Sequence, residues 1–402
     1  MKVNFIAFAI PFFVSFMLLE YFISKNKSKK LHQFNESVAN LNVGIAERIA
    51  DLLTTGSFFF IFTWLNANYS IFSIKSTPTT WVLLFLATDL LWYWYHRIGH
   101  TVNLFWASHI VHHQSDDFNY TVAARITVFQ AVARGLFWCA LPIIGFSPEM
   151  ITILLLIHGT YPFFTHTQLI GKLGWLEYII VTPSHHRVHH SSNPEYLDKN
   201  YGDMLIIWDK IFGTYAEEIT EPHFGLTKSL GSYSFLWQHF HYVLELVVAF
   251  RMAKTFRQKV KVIFGGPSDI DGRIRQLLER KYSQKAPDIQ YSQKLIRAVV
   301  SQTIVTVTVL FFTILFSEYL MGVALFVMTG FIILSVIITG AMLEQKKWIF
   351  HLEFVRIAVA SYVALSFFSN PYLIVVFVLL GVISVLFYQT IHSRSRELLF
   401  SN

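Results

Sequence analysis

Long apolar stretches constrain this chain more than any other feature of its sequence. An α-helix needs about 20 mostly apolar residues to cross the hydrocarbon core of a bilayer. We therefore predict an all-α integral membrane protein built around a multi-helix transmembrane bundle. The predicted spans are residues 3–24, 51–67, 79–95, 126–146, 149–170, 297–316, 319–341, 350–368 and 371–390.

The composition agrees with a membrane protein and excludes several other classes. Of the 402 residues, 54% are hydrophobic and 14% are charged, whereas a soluble globular chain carries about 25% charged residues. The single cysteine, Cys139, cannot form an internal disulfide, which excludes a disulfide scaffold. We attribute the net charge of +7 to basic loops beside the membrane, so no nucleic-acid partner is expected.

Basic residues predict how the chain is oriented in the membrane. Four lysines lie within residues 25–30, directly after the first apolar stretch, and short loops rich in Lys and Arg stay in the cytoplasm. Threading the spans from that loop places two polar segments, 96–125 and 171–296, on the cytoplasmic face. Within the second segment, residues 236–250 predict a helix that lies in the membrane interface.

Three histidine clusters stand out in the polar segments, as HxxxH at 96–100 and HxxHH at both 109–113 and 186–190. Residues three and four apart share one face of a helix, so each cluster forms a fan of imidazoles. Neutral imidazole suits zinc, copper, iron and nickel, and eight ligands are about right for two ions. The candidate ligands are His96, His100, His109, His112, His113, His186, His189 and His190.

A single HxxxH pair is common on helix surfaces and carries little weight alone. Two HxxHH boxes and one HxxxH at the cytoplasmic ends of apolar helices favour a metal centre, because protonated imidazoles packed together would repel each other. Asp89 lies seven residues before His96 on the same helical stripe. We expect Asp89 to accept the N–H of a ligating imidazole; the alternatives are an interfacial cap or a pairing with Arg97.

The order and spacing of the boxes resemble the fatty acid hydroxylase and sterol desaturase superfamily. The resemblance covers about residues 85–270 and is carried by the segments Trp94–Asn119 and Thr182–Thr214, the second ending in LIIWDKIFGT. Both segments are similar to the branch that cleaves ether lipids of the alkylglycerol type. The C-terminal helices are similar to that branch only in their layout.

This resemblance implies an iron-dependent membrane monooxygenase that hydroxylates a C–H bond of a bilayer lipid with O2. It implies two Fe ions bound by histidines in a cytoplasmic helical cap. In the ether-lipid branch, the ether-linked alkyl carbon is hydroxylated and the product falls apart to an aldehyde and glycerol. The implied reductant is tetrahydrobiopterin, or an electron-transfer protein of the ferredoxin or cytochrome b5 type as in other members.

The resemblance carries the eight box histidines over as catalytic metal ligands, residue by residue. His166 matches a further superfamily position and is expected to be a ninth ligand. Asp198 and Asn200 belong to a D-x-N-Y-G motif, and we expect them to hold the last box by hydrogen bonds or to form a tight loop. The ether-lipid branch has an acidic residue directly after the first box, where this chain has Thr101, and this departure bears on the ether-lipid substrate and the pterin donor.

The histidines outside the boxes have more ordinary expected roles. His185 falls outside the box spacing and is expected to be a neighbour of the site. His158 lies within an apolar stretch and is expected to line the core or a channel. His223, His239 and His241 are expected to be loop or interfacial residues.

Three other functions stay open from the residues alone. A desaturase with the same di-iron site fits equally well, because hydroxylation and desaturation both begin with hydrogen abstraction. A dimetal lipid hydrolase fits a zinc-loaded site. A metal transporter is less favoured, because transporters place their ligands at mid-membrane and these boxes lie at helix ends.

The sequence divides into four predicted regions. Residues 1–78 hold the N-terminal transmembrane helices, 79–270 a fatty acid hydroxylase-like catalytic domain, 271–296 a basic cytoplasmic linker, and 297–402 a C-terminal four-helix transmembrane region. The catalytic face is expected to be cytoplasmic. The sequence does not distinguish a bacterial inner membrane from the endoplasmic reticulum.

Overall fold

Helices make up nearly all of the regular structure of this protein, which is described from a computed structural model. Within the described residues, the pairings of β type are two isolated bridges, Ile180 with Leu205 and Ser191 with Phe224. The predicted all-α fold class is therefore confirmed. The structure describes residues 3–282, 291–320, 322–346, 348–367 and 371–400.

The described residues form eighteen α-helices, joined in places by short 3-10 turns. The first ten are α1 Ala9–Asn26, α2 Phe34–Tyr69, α3 Pro78–Thr101, α4 Asn103–His109, α5 Tyr120–Ala123, α6 Gln130–Trp138, α7 Ala140–Ile144, α8 Pro148–Thr165, α9 Pro183–His189 and α10 Ile207–Phe212. The other eight are α11 Phe235–Met252, α12 Phe256–Phe264, α13 Gly272–Tyr282, α14 Gln293–Leu315, α15 Val323–Leu343, α16 Ile349–Phe367, α17 Pro371–Leu386 and α18 Tyr388–Phe400.

Four helical segments in the described part of the chain are long and apolar enough to cross a membrane. They are Phe5–Asn26, Phe34–Tyr69, Gln293–Leu315 and Val323–Leu343. A fifth span is possible in the bent pair Ile374–Leu386 and Tyr388–Arg394, whose axes differ by 77°. The protein is therefore a multi-pass membrane protein.

The prediction of nine spans is too high for the described residues. The predicted span 126–146 is wrong, because the chain breaks at Cys139 into the short helices α6 and α7. The predicted spans 79–95 and 149–170 do form helices, α3 and α8, but these are not among the segments apolar enough to cross. Residue 368, at the end of the predicted span 350–368, lies outside the described residues.

Helix α2 also begins much earlier than expected, at Phe34 rather than at residue 51. The added turns bury polar side chains, among them Asn40, Asn42 and Glu47. Asn40 donates hydrogen bonds to Ser115 Oγ and Thr121 Oγ1, at 3.2 and 3.0 Å. The polar half of α2 is therefore buried inside the protein, which the hydropathy pattern does not distinguish from a loop.

The described chain divides into two compact units. One comprises residues 1–14, 231–237 and 285–402, and the other comprises 15–230 and 238–284. Of the predicted linker 271–296, residues 283–290 lie outside the described residues. The predicted domain boundaries stay predictions.

In the first unit, helices α14, α15 and α16 pack in sequence order. Glu344, just after α15, accepts backbone hydrogen bonds from Tyr233 and Ser234 at 2.9 and 3.0 Å. The backbone N–H of Asn4 donates to the Leu315 carbonyl at 2.9 Å. These bonds join the unit's three separate chain segments.

In the second unit, an apolar core joins α2, α3, α6, α7 and α8. Its fully buried members include Leu84, Trp138, Leu141 and Ile151. Each buried aliphatic or aromatic side chain of this size contributes about 1.5–3 kcal/mol. This core fixes α3 and α8, the two long helices that carry histidines at their C-terminal ends.

Capping residues in the sequence determine where the helices that carry those histidines begin. Thr77 caps α3 by accepting from the Thr80 N–H, and Pro78 occupies the first helical position. Ser147 caps α8 in the same way, with Pro148 following. Such caps fix where each helix starts, and therefore which residues its last turn presents.

Helix α11 confirms that the predicted segment 236–250 is helical. One face is buried and carries polar residues, including His239, His241 and Glu245. The opposite face is exposed and apolar, with residues such as Phe240 and Val247. The prediction of His239 and His241 as loop or interfacial residues is therefore wrong, because the polar face of this helix is turned inward.

Candidate metal centre

The nine histidines singled out from the sequence converge on two neighbouring groups. Within each group, one ring nitrogen per residue lies within 4.8 Å of the corresponding nitrogen of every other member. We call them the five-histidine group and the four-histidine group. The five-histidine group is His96, His100, His109, His113 and His189, and the four-histidine group is His112, His166, His186 and His190.

Each HxxHH box supplies both groups. In the first such box, α4 ends at His109 and the chain tightens into a 3-10 turn, Ile110–His113. His112 thereby faces the four-histidine group while His113 faces the other. The rings of His113 and His190 stack with centroids 4.4 Å apart, so the two groups adjoin.

His166 reaches the four-histidine group because α8 ends just before it. His166 is the C-cap of α8, one residue after the helix ends at Thr165. The carbonyl of Pro162, in the last turn of α8, lies 2.6 Å from His166 Nδ1. The ring is therefore held with Nε2 facing the group.

Backbone carbonyls fix the tautomer of further group members. His96 Nδ1 lies 2.9 Å from the Tyr201 carbonyl, and His189 Nδ1 lies 3.0 Å from the Lys199 carbonyl. His112 Nδ1 lies 3.1 Å from the Arg125 carbonyl. Because a carbonyl can only accept, each Nδ1 carries the proton and each Nε2 presents a lone pair, which is the form that binds a metal.

The Nε2 atoms then face each other at distances that suit a shared cation. His96 and His113 each place Nε2 close to His109 Nε2, at 3.0 and 3.1 Å. His166 Nε2 lies 3.3 Å from His112 Nε2, and both atoms present lone pairs. Two nitrogens bound to one ion at about 2.1 Å stand about 3.0–3.4 Å apart, depending on the angle.

Other ring nitrogens in the groups have no hydrogen-bond partner among the described residues. They are Nε2 of His100, His189 and His190, and all three atoms are buried. A buried polar atom without a partner is uncommon and costs about 1–3 kcal/mol. Coordination to a metal would satisfy these atoms, so the residues present fit a dimetal centre.

Burial keeps these imidazoles neutral. Burial, with the neighbouring His100 as a smaller cause, lowers the pKa of His96 to about 3. For His109, His113 and His190, burial is again the larger cause and nearby imidazoles add to it, so each pKa lies well below its usual range. The neutral ring is the form that coordinates a metal ion.

One loop segment, residues 198–205, supplies contacts to three members of the five-histidine group. We call it the strap. Besides the two carbonyl contacts to His96 and His189, Asp198 Oδ1 lies 3.7 Å from His100 Nδ1. Asp198 and Asn200 adopt left-handed backbone conformations, with φ of 59° and 56°, which Asp and Asn tolerate better than most residues.

In the structure, the residues of the D-x-N-Y-G motif have partners that differ in part from those expected. Asp198 contacts His100 of the first box, not the last box as predicted, because the strap folds back toward the end of α3. Asn200 donates to the His185 carbonyl at 3.1 Å, which holds the start of the last box. Asn200 also bonds both backbone groups of Ala216, so it closes the loop as well.

The expected contact between Asp89 and a ligating imidazole is replaced by other bonds. Asp89 accepts from the N–H groups of Met204 and Leu205 at 3.0 and 3.2 Å, and from Trp208 Nε1 at 2.8 Å. It is fully buried. Asp89 therefore fixes the end of the strap, and about two turns of α3 separate it from His96, the first proposed ligand on that helix.

Sequence analysis missed a third buried cluster, formed by Asp89, His158 and Asp203. His158 Nδ1 donates to Asp203 Oδ2 at 2.7 Å and lies 3.7 Å from Asp89 Oδ1. His158 lies in the core as expected, but it is one partner of a polar pair. Its partner is 45 positions away, so no local sequence signal could have identified the pair.

Sequence analysis also missed Arg125, whose buried guanidinium secures the second box. Its donors bond the Val111 carbonyl at 2.6 Å, Asn40 Oδ1 at 2.9 Å and Gln114 Oε1 at 2.7 Å. The signal available was a lone Arg close to the box, beside an apolar stretch. The same residue's carbonyl accepts from His112, so Arg125 holds this box through its backbone and through its side chain.

The remaining histidines and Thr101 lie outside both groups. His185 caps the start of α9, where its Nδ1 accepts the Thr182 N–H at 3.2 Å. His223 is exposed in a loop, as expected. Thr101 donates to the Arg97 carbonyl at 2.9 Å and makes no contact with the histidine groups that the structure describes.

Comparison with known proteins agrees with these residues. A family model, fatty acid hydroxylase, matches residues 81–214. Human alkylglycerol monooxygenase is 35% identical over 283 residues, which is 70% of this chain and 62% of the human protein. The alkylglycerol monooxygenase of Danio rerio is 29% identical over 355 residues, 87% of this chain and 79% of the relative.

The name of a less similar protein refers to a different lipid. Ornithine lipid hydroxylase of Rhizobium tropici is 27% identical over 124 residues, 31% of this chain and 38% of that protein. The match to human alkylglycerol monooxygenase covers less than two thirds of that protein's length. No solved structure matched this chain.

Proposed function

We propose that this chain, in which residues 81–214 match the fatty acid hydroxylase family model, is a membrane di-iron monooxygenase that hydroxylates a lipid C–H bond with O2. The observation that carries the proposal is the convergence of nine neutral imidazoles on two adjoining groups. The proposed metal ligands, which are also the catalytic set, are His96, His100, His109, His112, His113, His166, His186, His189 and His190.

Iron is favoured over zinc by the chemistry of the proposed reaction. The balanced reaction is RH + O2 + 2 electrons + 2 protons giving ROH + H2O, and it needs a metal that changes oxidation state. Iron supplies that redox chemistry when bound, whereas zinc has none. The all-imidazole donor set accommodates iron equally well.

The residues of this chain hold the ligands in place and keep water away. Carbonyls of the strap, of Arg125 and of Pro162 orient the ligating rings. Phe118, fully buried, stacks on His166 with centroids 5.5 Å apart and also lies against His190. This apolar ring beside the metal groups keeps water away from them.

Alkylglycerol-type ether lipids are the substrate class that we propose first. Two proteins similar to this chain, the alkylglycerol monooxygenases of human and Danio rerio, carry that substrate in their names. Hydroxylation of the carbon beside the ether oxygen gives a hemiacetal, which falls apart to an aldehyde and a glycerol. The lipid would enter from the bilayer, and we propose that the catalytic face is cytoplasmic, beside the lysines of residues 25–30.

The test supplies the full-length protein in membranes with an alkylglycerol, 18O2 and a reductant. Tetrahydrobiopterin, reduced ferredoxin and reduced cytochrome b5 are supplied in separate arms, because the donor is part of the proposal. We expect O2-dependent aldehyde release with one of the three donors. His190→Ala should abolish product, whereas His223→Ala, an exposed loop histidine, should leave it unchanged.

Three outcomes would overturn the proposal. A new carbon–carbon double bond without oxygen incorporation would indicate a desaturase. Lipid cleavage in the absence of O2 would indicate a dimetal hydrolase. Equal activity of the His190→Ala variant and the wild type would remove the metal centre from the reaction.

A further inference from the structure

We infer that the buried His158–Asp203 pair, acting with Asp89, is a positioning device for the five-histidine group and does not serve the four-histidine group. The inference rests on the proposed dimetal centre. It assigns a role to residues that lie outside all three histidine boxes.

The strap contacts members of one group only, in the contacts that the structure describes. Its carbonyls at Lys199 and Tyr201 fix the protonated nitrogens of His189 and His96. The corresponding carbonyls for His112 and His166 belong to Arg125 and Pro162, which lie elsewhere in the chain. A shift of the strap would therefore disturb one group and spare the other.

Polar anchors hold the strap at its C-terminal end. Asp89 accepts the N–H groups of Met204 and Leu205, and Asp203 accepts from His158 Nδ1 at 2.7 Å. Asp89 lies on α3 and His158 on α8, so the pair joins the strap to both long helices. Two turns further along, α3 carries His96 of the five-histidine group. His166 of the four-histidine group follows α8, which the apolar core already fixes.

A second anchor holds the middle of the strap. The carboxylate of Asp209 accepts the N–H groups of Tyr201 and Gly202, both at 2.7 Å. A Cβ at Gly202 would approach the Leu205 carbonyl oxygen to 2.7 Å, so the backbone here is tightly packed. The strap is thus held from Tyr201 to Leu205, and displacement at Asp203 is transmitted to the Tyr201 carbonyl.

The Asp89, His158 and Asp203 cluster is better explained as a hydrogen-bonded anchor than as a third metal site. The 2.7 Å separation of His158 Nδ1 and Asp203 Oδ2 is shorter than the about 3.0 Å expected for two adjacent ligands bound at about 2.1 Å. Both oxygens of Asp89 already accept N–H donors.

Stability alone does not account for this anchor. Burying two carboxylates and an imidazole has a desolvation penalty, and well-packed apolar replacements of such clusters are often neutral or stabilising. An apolar replacement cannot reproduce the hydrogen bonds that fix the position of the strap. Partners that orient a ligating histidine typically affect metal affinity 10- to 100-fold, which sets the expected size of the effect at about that range.

The test measures metal binding by the full-length protein, stripped of metal and titrated with Co2+ against a chelator of known affinity. Two variants are compared with the wild type. Asp203→Asn keeps the side-chain shape and removes the charge, and the double variant His158→Phe with Asp203→Leu replaces the pair by apolar groups. We expect one of two binding steps to weaken by about 10- to 100-fold in each variant, while the other keeps the wild-type affinity.

A matched control removes a buried ion pair elsewhere in the same unit. Glu245 bonds Arg275 at 2.8 Å and is buried, but neither residue contacts the strap. Glu245→Gln should leave both binding steps unchanged. The double variant of His158 and Asp203 leaves no buried polar group of this pair unpaired. It therefore tests the inference even if Asp203→Asn fails to fold.

The outcomes separate the inference from the proposed function. Two wild-type binding steps that persist unchanged in both Asp203 variants would refute the positioning role and leave the metal centre standing. Equal weakening of both steps would also refute it, because it would indicate a general structural role. A wild-type protein that binds no Co2+ would refute the proposed metal centre itself, and the inference with it.

Discussion

Replacing Arg125 by methionine tests how strongly one buried side chain supports the second histidine box. Arg125 is 1% exposed, and burial lowers its pKa only to about 10, so it stays charged at neutral pH. Methionine matches the unbranched apolar stem of arginine, lacks the guanidinium group and removes every donor. We expect Arg125→Met to destabilise the protein strongly, because three acceptors lose the donor that Arg125 supplies.

The magnitude follows from the bonds that are lost. The Val111 carbonyl, Asn40 Oδ1 and Gln114 Oε1 each lose a donor at 2.6–2.9 Å. A buried acceptor left without its partner costs about 1–3 kcal/mol. The Val111 carbonyl keeps one donor, the Gln114 N–H at 3.4 Å. The two amide oxygens left unpaired give a loss of about 2–6 kcal/mol, and relaxation of the two amide side chains favours the lower end.

The assay is chemical denaturation of the detergent-solubilised protein, with the free energy of unfolding extrapolated to zero denaturant. Arg273→Met is the control, since Arg273 has a side chain that is 83% exposed and pairs with Asp271 at the surface. The control should lose less than about 1 kcal/mol. An Arg125→Met variant that loses no more than the control would refute the reasoning.

Two further predictions follow from the same structure. Removing bound metal with a chelator should lower the thermal midpoint, and adding iron(II) without oxygen should restore it, because an ion that binds only the folded state stabilises it; an unchanged midpoint would contradict this. Gly202→Ala should destabilise the protein by about 1–3 kcal/mol, since the added Cβ would clash with the Leu205 carbonyl and Asp209. Gly171→Ala, where nothing lies within 4 Å, should change stability by less than about 0.5 kcal/mol, and equal effects of the two substitutions would show that the strap is not tightly packed.

Helical spacing was enough to identify the histidines that converge, but not how they divide. The spacing of His109, His112 and His113 indicates a single fan if the segment is one regular helix. In the structure α4 tightens into a 3-10 turn, and His112 faces a different group from its neighbours. That change of helix type depends on tertiary contacts, including the bond from His112 to the Arg125 carbonyl.

The partners of acidic residues were harder to predict than the histidines. Asp89 has the helical register expected of a residue near His96, yet its partners come from Met204, Leu205 and Trp208, more than 100 positions away. Asp203 gives no local signal at all. Its role depends on a loop that returns to α3 and α8, and such returns are set by the fold.

Hydropathy overestimated the number of membrane spans for a physical reason. A helix buried among protein helices and a helix surrounded by lipid are both apolar, so windows of sequence do not distinguish them. Helices α3 and α8 each bury a polar residue, Asp89 and His158, and expose apolar residues such as Val82 and Leu156 on another face. Polar residues inside an apolar stretch were the available signal that one face of each helix packs against protein.

The central claim is that nine imidazoles hold two adjoining metal ions. Iron K-edge X-ray absorption on the purified full-length protein, combined with counting of bound iron, tests that claim most directly. The account predicts two iron ions per chain, with a first shell dominated by imidazole nitrogen at about 2.1 Å. A single ion per chain, or a shell dominated by carboxylate oxygen or by sulfur, would contradict it.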